Sequence, residues 1–169
     1  PEYRDFLVTA VDHAEVGQHQ RTEVVFTAHS LPERVLADDP YPDELLDSAG
    51  ATADTIGIRP RRPAEGPDTD NGLRWSLGWQ SAGATPEPWR GPDILEVIRD
   101  RAASDEVDAI IVCPQGFVAD HLEVAYDLDI EAQRLADEVG IAFARTRVLN
   151  DHHEVLGALA RRIAEVAGV

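Results

Sequence analysis

The 169-residue sequence has no lysine, no methionine and one cysteine. A single thiol excludes an internal disulfide and any iron–sulfur cluster held by four cysteines of this chain. Cys113 ends the run Ile110-Ile111-Val112-Cys113, which reads as a small buried core position. No apolar run approaches the ~20 residues that a membrane helix needs. The residues before the first helical pattern do not read as a secretory signal. No glycine-rich phosphate loop follows the first strand pattern. All 15 basic residues are arginine, against 32 acidic ones, for a formal net charge of −17. Binding to a nucleic-acid backbone, which needs a basic surface, is therefore disfavoured. The acidic balance reads first as a solvated surface; the alternative is that it raises the local cation concentration. With Pro1 first and no methionine, the sequence is expected to be part of a longer reading frame.

What is present suffices for one domain, with 43% hydrophobic residues and no low-complexity tract. Helical and strand patterns alternate. Arg4 to Gly17 is amphipathic through Phe6, Leu7, Ala10, Val11 and Ala14. Asp38 to Ile56 is a helix entered through Pro40 and Pro42, and Pro92 to Ala103 and Leu122 to Val139 are further helices. Asp151, with Glu154 three positions on, predicts a capping box for a last helix packed through Val155, Leu156, Leu159 and Ile163. Strands are expected at Glu23 to Ala28, Leu73 to Trp79, Ala109 to Cys113 and Ile141 to Arg145, and residues 59–72 as an exposed loop. The fold class is α/β: three layers, with a parallel sheet of about four strands and helices on both faces.

In such sheets ligands bind beyond the carboxyl ends of the strands. His29 follows the first strand, Gln80 and Ser81 the second, and Pro114 to Asp120 the third, so the polar motifs converge on one edge. A neutral imidazole beside carboxylates suits transient binding of a borderline divalent metal such as Fe²⁺ and can also accept protons near neutral pH. Asp120, Glu123, Asp127 and Glu131 step by three, four and four along one helix, roughly on one face. A step of four overshoots the 3.6-residue period, so the row drifts unless a wider π-turn straightens it. A solvated acidic face is the plainer alternative, weighed against the apolar Phe117-Val118-Ala119 entry and Tyr126. Trp79 and Trp89 bracket a glycine-containing turn and could line a flat aromatic ligand or simply pack. His152 and His153 are adjacent, do not share a helix face and read as a surface helix start. His13 and His19 are isolated. Arg145 and Arg147 read as surface or ion-paired residues.

Phe26-Thr27-Ala28-His29-Ser30-Leu31-Pro32, Asp39-Pro40-Tyr41-Pro42, Trp79-Gln80-Ser81 with Pro88-Trp89, and Gly116-Phe117-Val118-Ala119-Asp120-His121-Leu122-Glu123 with Tyr126-Asp127-Leu128-Asp129-Ile130-Glu131 together resemble ferrochelatase, in order and spacing. The resemblance is to the carboxyl-terminal half of that family and treats residues 1–169 as one such domain. It implies insertion of ferrous iron into a porphyrin, protoporphyrin IX or coproporphyrin III, in heme synthesis. Fe²⁺ is then a substrate, with no tightly bound cofactor. The resemblance implies that His29 and Glu123 form the metal and catalytic pair, and that Asp120, Asp127 and Glu131 form a metal or proton path. The resemblance also implies that Trp79, Ser30 and Pro32 lie at the porphyrin pocket. An amino-terminal lobe of the same enzyme is the implied partner. The expected location is the cytoplasm, at most peripheral to a membrane. The alternative is a lobe that binds metal or tetrapyrrole without turnover, its catalytic partner half missing. A small cobalt or nickel chelatase is a third reading, in which more histidine is expected at the site.

Overall fold

A computed structural model describes residues 2–12, 21–61, 73–104 and 106–168. Its centre is a five-stranded, fully parallel sheet in the order β2-β3-β1-β4-β5, where β1 is Thr22–His29, β2 Arg59–Pro60, β3 Arg74–Gln80, β4 Ala109–Cys113 and β5 Ala142–Arg145. The strand expected at Ala109 to Cys113 has those bounds, and the other three expected strands shift by a residue or so at their ends. The fifth strand is a correction to the exposed loop expected over 59–72. Arg59 and Pro60 pair with Arg74 and Trp75, and the Arg61 amide donates to the Trp75 carbonyl at 2.7 Å. Proline tolerates this position because an edge strand leaves one side of its backbone unpaired. Residues 62–72 lie outside the described residues, as do His13, Ala14, Gly17 and His19.

Alternation along the central strands explains the continuous apolar runs of a sheet covered on both faces. Val24, Phe26, Ile111 and Cys113 point into one cluster, with Phe6, Leu7, Ala49 and Ala53. These come from helices α1 (Glu2–Asp12) and α3 (Tyr41–Ile56). Val25, Ile110 and Val112 point into the other, with Ile94, Ile98, Val124 and Leu128. The covering helices there are α4 (Ile94–Ser104), α5 (Leu122–Val124) and α6 (Gln133–Val139). A one-turn helix, α2 (Glu33–Leu36), follows β1, and Pro42 sits in the first turn of α3. At the amino ends of the strands, fully buried Glu23 accepts from Arg101 at 2.7 and 3.1 Å and from the Ser76 hydroxyl at 2.5 Å, with Arg61 at 3.3 Å.

Two expectations for the last helix, α7 (His153–Ala167), are corrected. Its N-cap is His152, with no side-chain capping bond, so Asp151 and Glu154 build no capping box. The expected packing face is largely open: Leu156, Leu159 and Ile163 are exposed, and only Val155 reaches the cluster around Phe6. The amphipathic period forms the helix, but α7 meets the rest of the described chain along one edge, against α1.

Candidate functional site

The connection after β1 runs to α3 on one face of the sheet, whereas that after the neighbouring β4 runs to α5 and α6 on the other. Such a reversal opens a crevice at the carboxyl ends of the two strands. His29 is the last residue of β1, and the segment from Pro114 to Glu123 follows β4. The two come into contact because Gly116 lies directly on β1. Its amide donates to the Thr27 carbonyl at 3.0 Å, and a Cβ there would stand 2.5 Å from the Ala28 Cβ. Phe117 is thereby placed with its ring 6.3 Å from His29 and 5.4 Å from His121.

The His29 ring is oriented by its own backbone. Nδ1 is 2.5 Å from the Ser30 carbonyl oxygen. A carbonyl can only accept, so Nδ1 is the donor, and in the neutral ring Nε2 presents a lone pair. Nε2 is 3.6 Å from Glu123 Oε2, and both side chains are partly open to solvent. Two acceptors at that separation suit a shared cation. An ion about 2.1 Å from each would see an N–metal–O angle of roughly 120°. Among the described residues no group of three or more histidine, cysteine or acidic side chains is placed to hold a metal.

The acidic row divides on folding. The helix from Leu122 to Val139 widens to a π-helix over Ala125–Ala132, where the Gln133 amide reaches the Leu128 carbonyl five residues back. Asp127 and Glu131 line a shallow cleft of about 150 Å³ with Gln80, Ser81 and Asp93. The Ser81 hydroxyl donates to Asp127 at 2.5 Å, and Ser81 itself has a positive φ of 61°. Burial, then the neighbouring Glu96 and Asp127 charges, push the Asp93 carboxyl above the usual range against the Leu95 amide it accepts from. Asp120 stands apart. Its amide and carboxylate both bond the Asn150 side chain at 2.8 Å, and Arg145 lies 3.3 Å away while also holding Asp129. Arg147 lies over the Phe6 ring.

Trp79, Ser30 and Pro32 are buried. Trp79 is 3% exposed, covered by Tyr41 at 5.9 Å between ring centroids and by the Arg90 guanidinium. The Ser30 hydroxyl donates to the Arg90 carbonyl at 2.7 Å, and Pro32 forms a bridge with Trp89. Sequence reasoning missed Ser81 as the partner of Asp127, and Asp93 and Arg90 altogether. Their roles depend on the loop after β3 folding back over the end of β1, which no local pattern announces.

The ferrochelatase family model matches residues 1–167. The chain is 38% identical over 165 residues to coproporphyrin III ferrochelatase from Bacillus pumilus, covering 95% of this chain and 48% of that protein. It is 40% identical over 156 residues to ferrochelatase from Herpetosiphon aurantiacus, covering 89% and 46%. Against coproporphyrin III ferrochelatase from Anoxybacillus flavithermus the identity is 38% over 151 residues, covering 88% and 44%. The chain spans about half the length of these curated relatives.

Proposed function

This chain belongs to the ferrochelatase family, and from that premise we propose that it is the metal-handling lobe of an enzyme that inserts ferrous iron into a porphyrin. The observation that carries the reading is the His29–Glu123 pair, 3.6 Å apart at the mouth of the crevice. Metallation replaces two pyrrole N–H protons by one Fe²⁺, without change of oxidation state. Once the ion has left His29 Nε2 for the ring, the lone pair there, turned outward by the Nδ1 bond to Ser30, accepts one of the two pyrrole protons. Glu123 holds the incoming ion on the opposite side of the shared space and releases it to the ring. Two oxygen and nitrogen donors, without thiolate, bind Fe²⁺ weakly enough for that transfer. Asp127 and Glu131 continue the anionic surface one and two turns along the widened helix and carry the second proton, or the arriving cation, between bulk water and the pair. Trp79, Ser30 and Pro32 support the porphyrin-facing wall from behind.

The names of two relatives above favour coproporphyrin III as the ring over protoporphyrin IX. A second reading rests on the chain's spanning about half of its relatives. It is a lobe that binds metal or tetrapyrrole and turns over only with an amino-terminal half. Anaerobic metallation of coproporphyrin III, followed by absorbance, separates the two when run on this chain alone and on a fusion carrying a relative's amino-terminal half. The catalytic reading expects His29→Ala to slow the active form by about 10²–10⁴-fold. An unchanged rate removes His29 from the chemistry. Glu123→Gln should weaken binding of Zn²⁺ as a probe, and unaltered affinity removes Glu123 from the metal site.

A further inference from the structure

A porphyrin substrate brings its own carboxylates to a crevice that is already rich in them: Glu123, Asp127, Glu131 and Asp93. Binding then needs a cation at the rim whose charge is not already taken. Arg34 and Arg145 at this edge are committed: Arg34 contacts Glu87 at 2.5 Å and Arg145 contacts Asp129 at 2.5 and 2.9 Å. Arg90 differs. Its nearest carboxylate, Glu33, is 3.5 Å away, and both side chains are exposed. Exposed pairs of this kind contribute little to stability and are displaced at little cost.

Arg90 is also held in place. Its amide donates to the Leu31 carbonyl at 2.9 Å and its carbonyl accepts from the Ser30 hydroxyl at 2.7 Å. Both partners directly follow His29, so the backbone of residue 90 is fixed relative to the proposed proton acceptor although it belongs to a different loop. The guanidinium lies 5.9 Å from the centroid of buried Trp79, which limits where it can swing. A planar fork of donors prepared in this way matches a carboxylate bidentately.

We propose that Arg90 is a substrate-anchoring residue that takes a propionate of the tetrapyrrole and favours rings carrying a carboxylate on this side. The inference rests on the porphyrin reading above. Its test is a fluorescence titration of this chain with metal-free coproporphyrin III and, in the same detergent, its neutral tetramethyl ester. Arg90→Gln should weaken coproporphyrin III binding by roughly tenfold or more and leave the ester's affinity unchanged. Arg90→Lys should recover part of the loss, and melting temperatures should stay together because the side chain is exposed. Equal affinity of wild type and Arg90→Gln for coproporphyrin III overturns the anchor alone. If neither the wild-type chain nor its fusion to a relative's amino-terminal half binds either porphyrin, the porphyrin reading falls and the anchor falls with it.

Discussion

Adding one methyl group at Gly116 tests how the crevice is built. The position needs glycine for space: a Cβ would lie 2.5 Å from the Ala28 Cβ and 2.8 Å from its Cα. Carbon atoms rest about 3.5 Å or more apart, so the loop must retreat by about 1 Å. Neither neighbour can give way, since both belong to the backbone of a central strand or hang directly from it. The retreat also stretches the 3.0 Å bond from the Gly116 amide to the Thr27 carbonyl beyond bonding range. Overpacking costs about 1–3 kcal/mol and the lost bond about 1 kcal/mol. The stiffer unfolded chain offsets about 0.4–1 kcal/mol, leaving a net loss of about 1–3.6 kcal/mol. For a chain of this size the melting temperature should drop by roughly 2–14 °C, read by circular dichroism. The His29 ring resonances should shift as well, because Phe117 moves with the loop. Pairing Gly116→Ala with Ala28→Gly removes the nearer clash but leaves the main-chain carbon of residue 28 in the way, so recovery should be partial. Gly57→Ala is the control: its Cβ would meet nothing within 4 Å, and only its left-handed φ of 74° costs about 1 kcal/mol. A Gly116→Ala melt within a degree of wild type refutes the idea that this close approach assembles the crevice.

Glu23→Ala leaves Arg101 without its buried countercharge, while Arg61 keeps its pair with Glu106, and should cost about 3–5 kcal/mol in urea unfolding; a loss below about 1 kcal/mol means the network is not stabilising. Cys113 is fully buried and its thiol is pushed up to about 12 by desolvation, so a thiol reagent at pH 8 should leave the native chain unmodified and titrate one thiol in guanidinium. Prompt native labelling contradicts that burial. The Asp93 carboxyl is raised in the folded state, first by burial and then by Glu96 and Asp127. Its protonated form therefore favours folding, and that contribution is lost as pH rises through the raised value. Asp93→Asn should gain stability over wild type from about pH 4 upward and reach a plateau at neutral pH, measured as denaturation midpoints across pH. A difference independent of pH counts against the burial argument.

Much of the fold was legible because its signals are local. Ala109 to Cys113 reads as a buried strand since both faces of a central parallel strand are covered, and five consecutive apolar residues satisfy both. The π-helix was legible for a related reason. Acids repeating every four residues fit a wider turn than 3.6, and the helix widens over Ala125–Ala132 to carry them. The last helix shows the limit. Its amphipathic period determines that it forms, yet Leu159 and Ile163 remain 54% and 59% exposed, because periodicity marks an apolar face without saying what covers it. Asp120 enters the acidic row through its spacing and through the family resemblance. Its partners in the fold, Asn150 and Arg145, are distant in sequence and left no local signal.

Residue order by itself determined the α/β class, the two-faced apolar strands and the placing of His29 at the end of β1 and of Glu123 on the segment that follows β4 at the same edge. Those outcomes follow from short-range periodicity and from the rule that parallel strands present their carboxyl ends together. Tertiary structure alone decided the 3.6 Å approach of imidazole and carboxylate, the burial of Trp79 and the anchoring of Arg90 beside Ser30. Each requires two loops separated by tens of residues to pack at van der Waals distance. That packing depends on the absence of a side chain at Gly116 and on hydrogen bonds between backbones, neither of which leaves a pattern in the sequence.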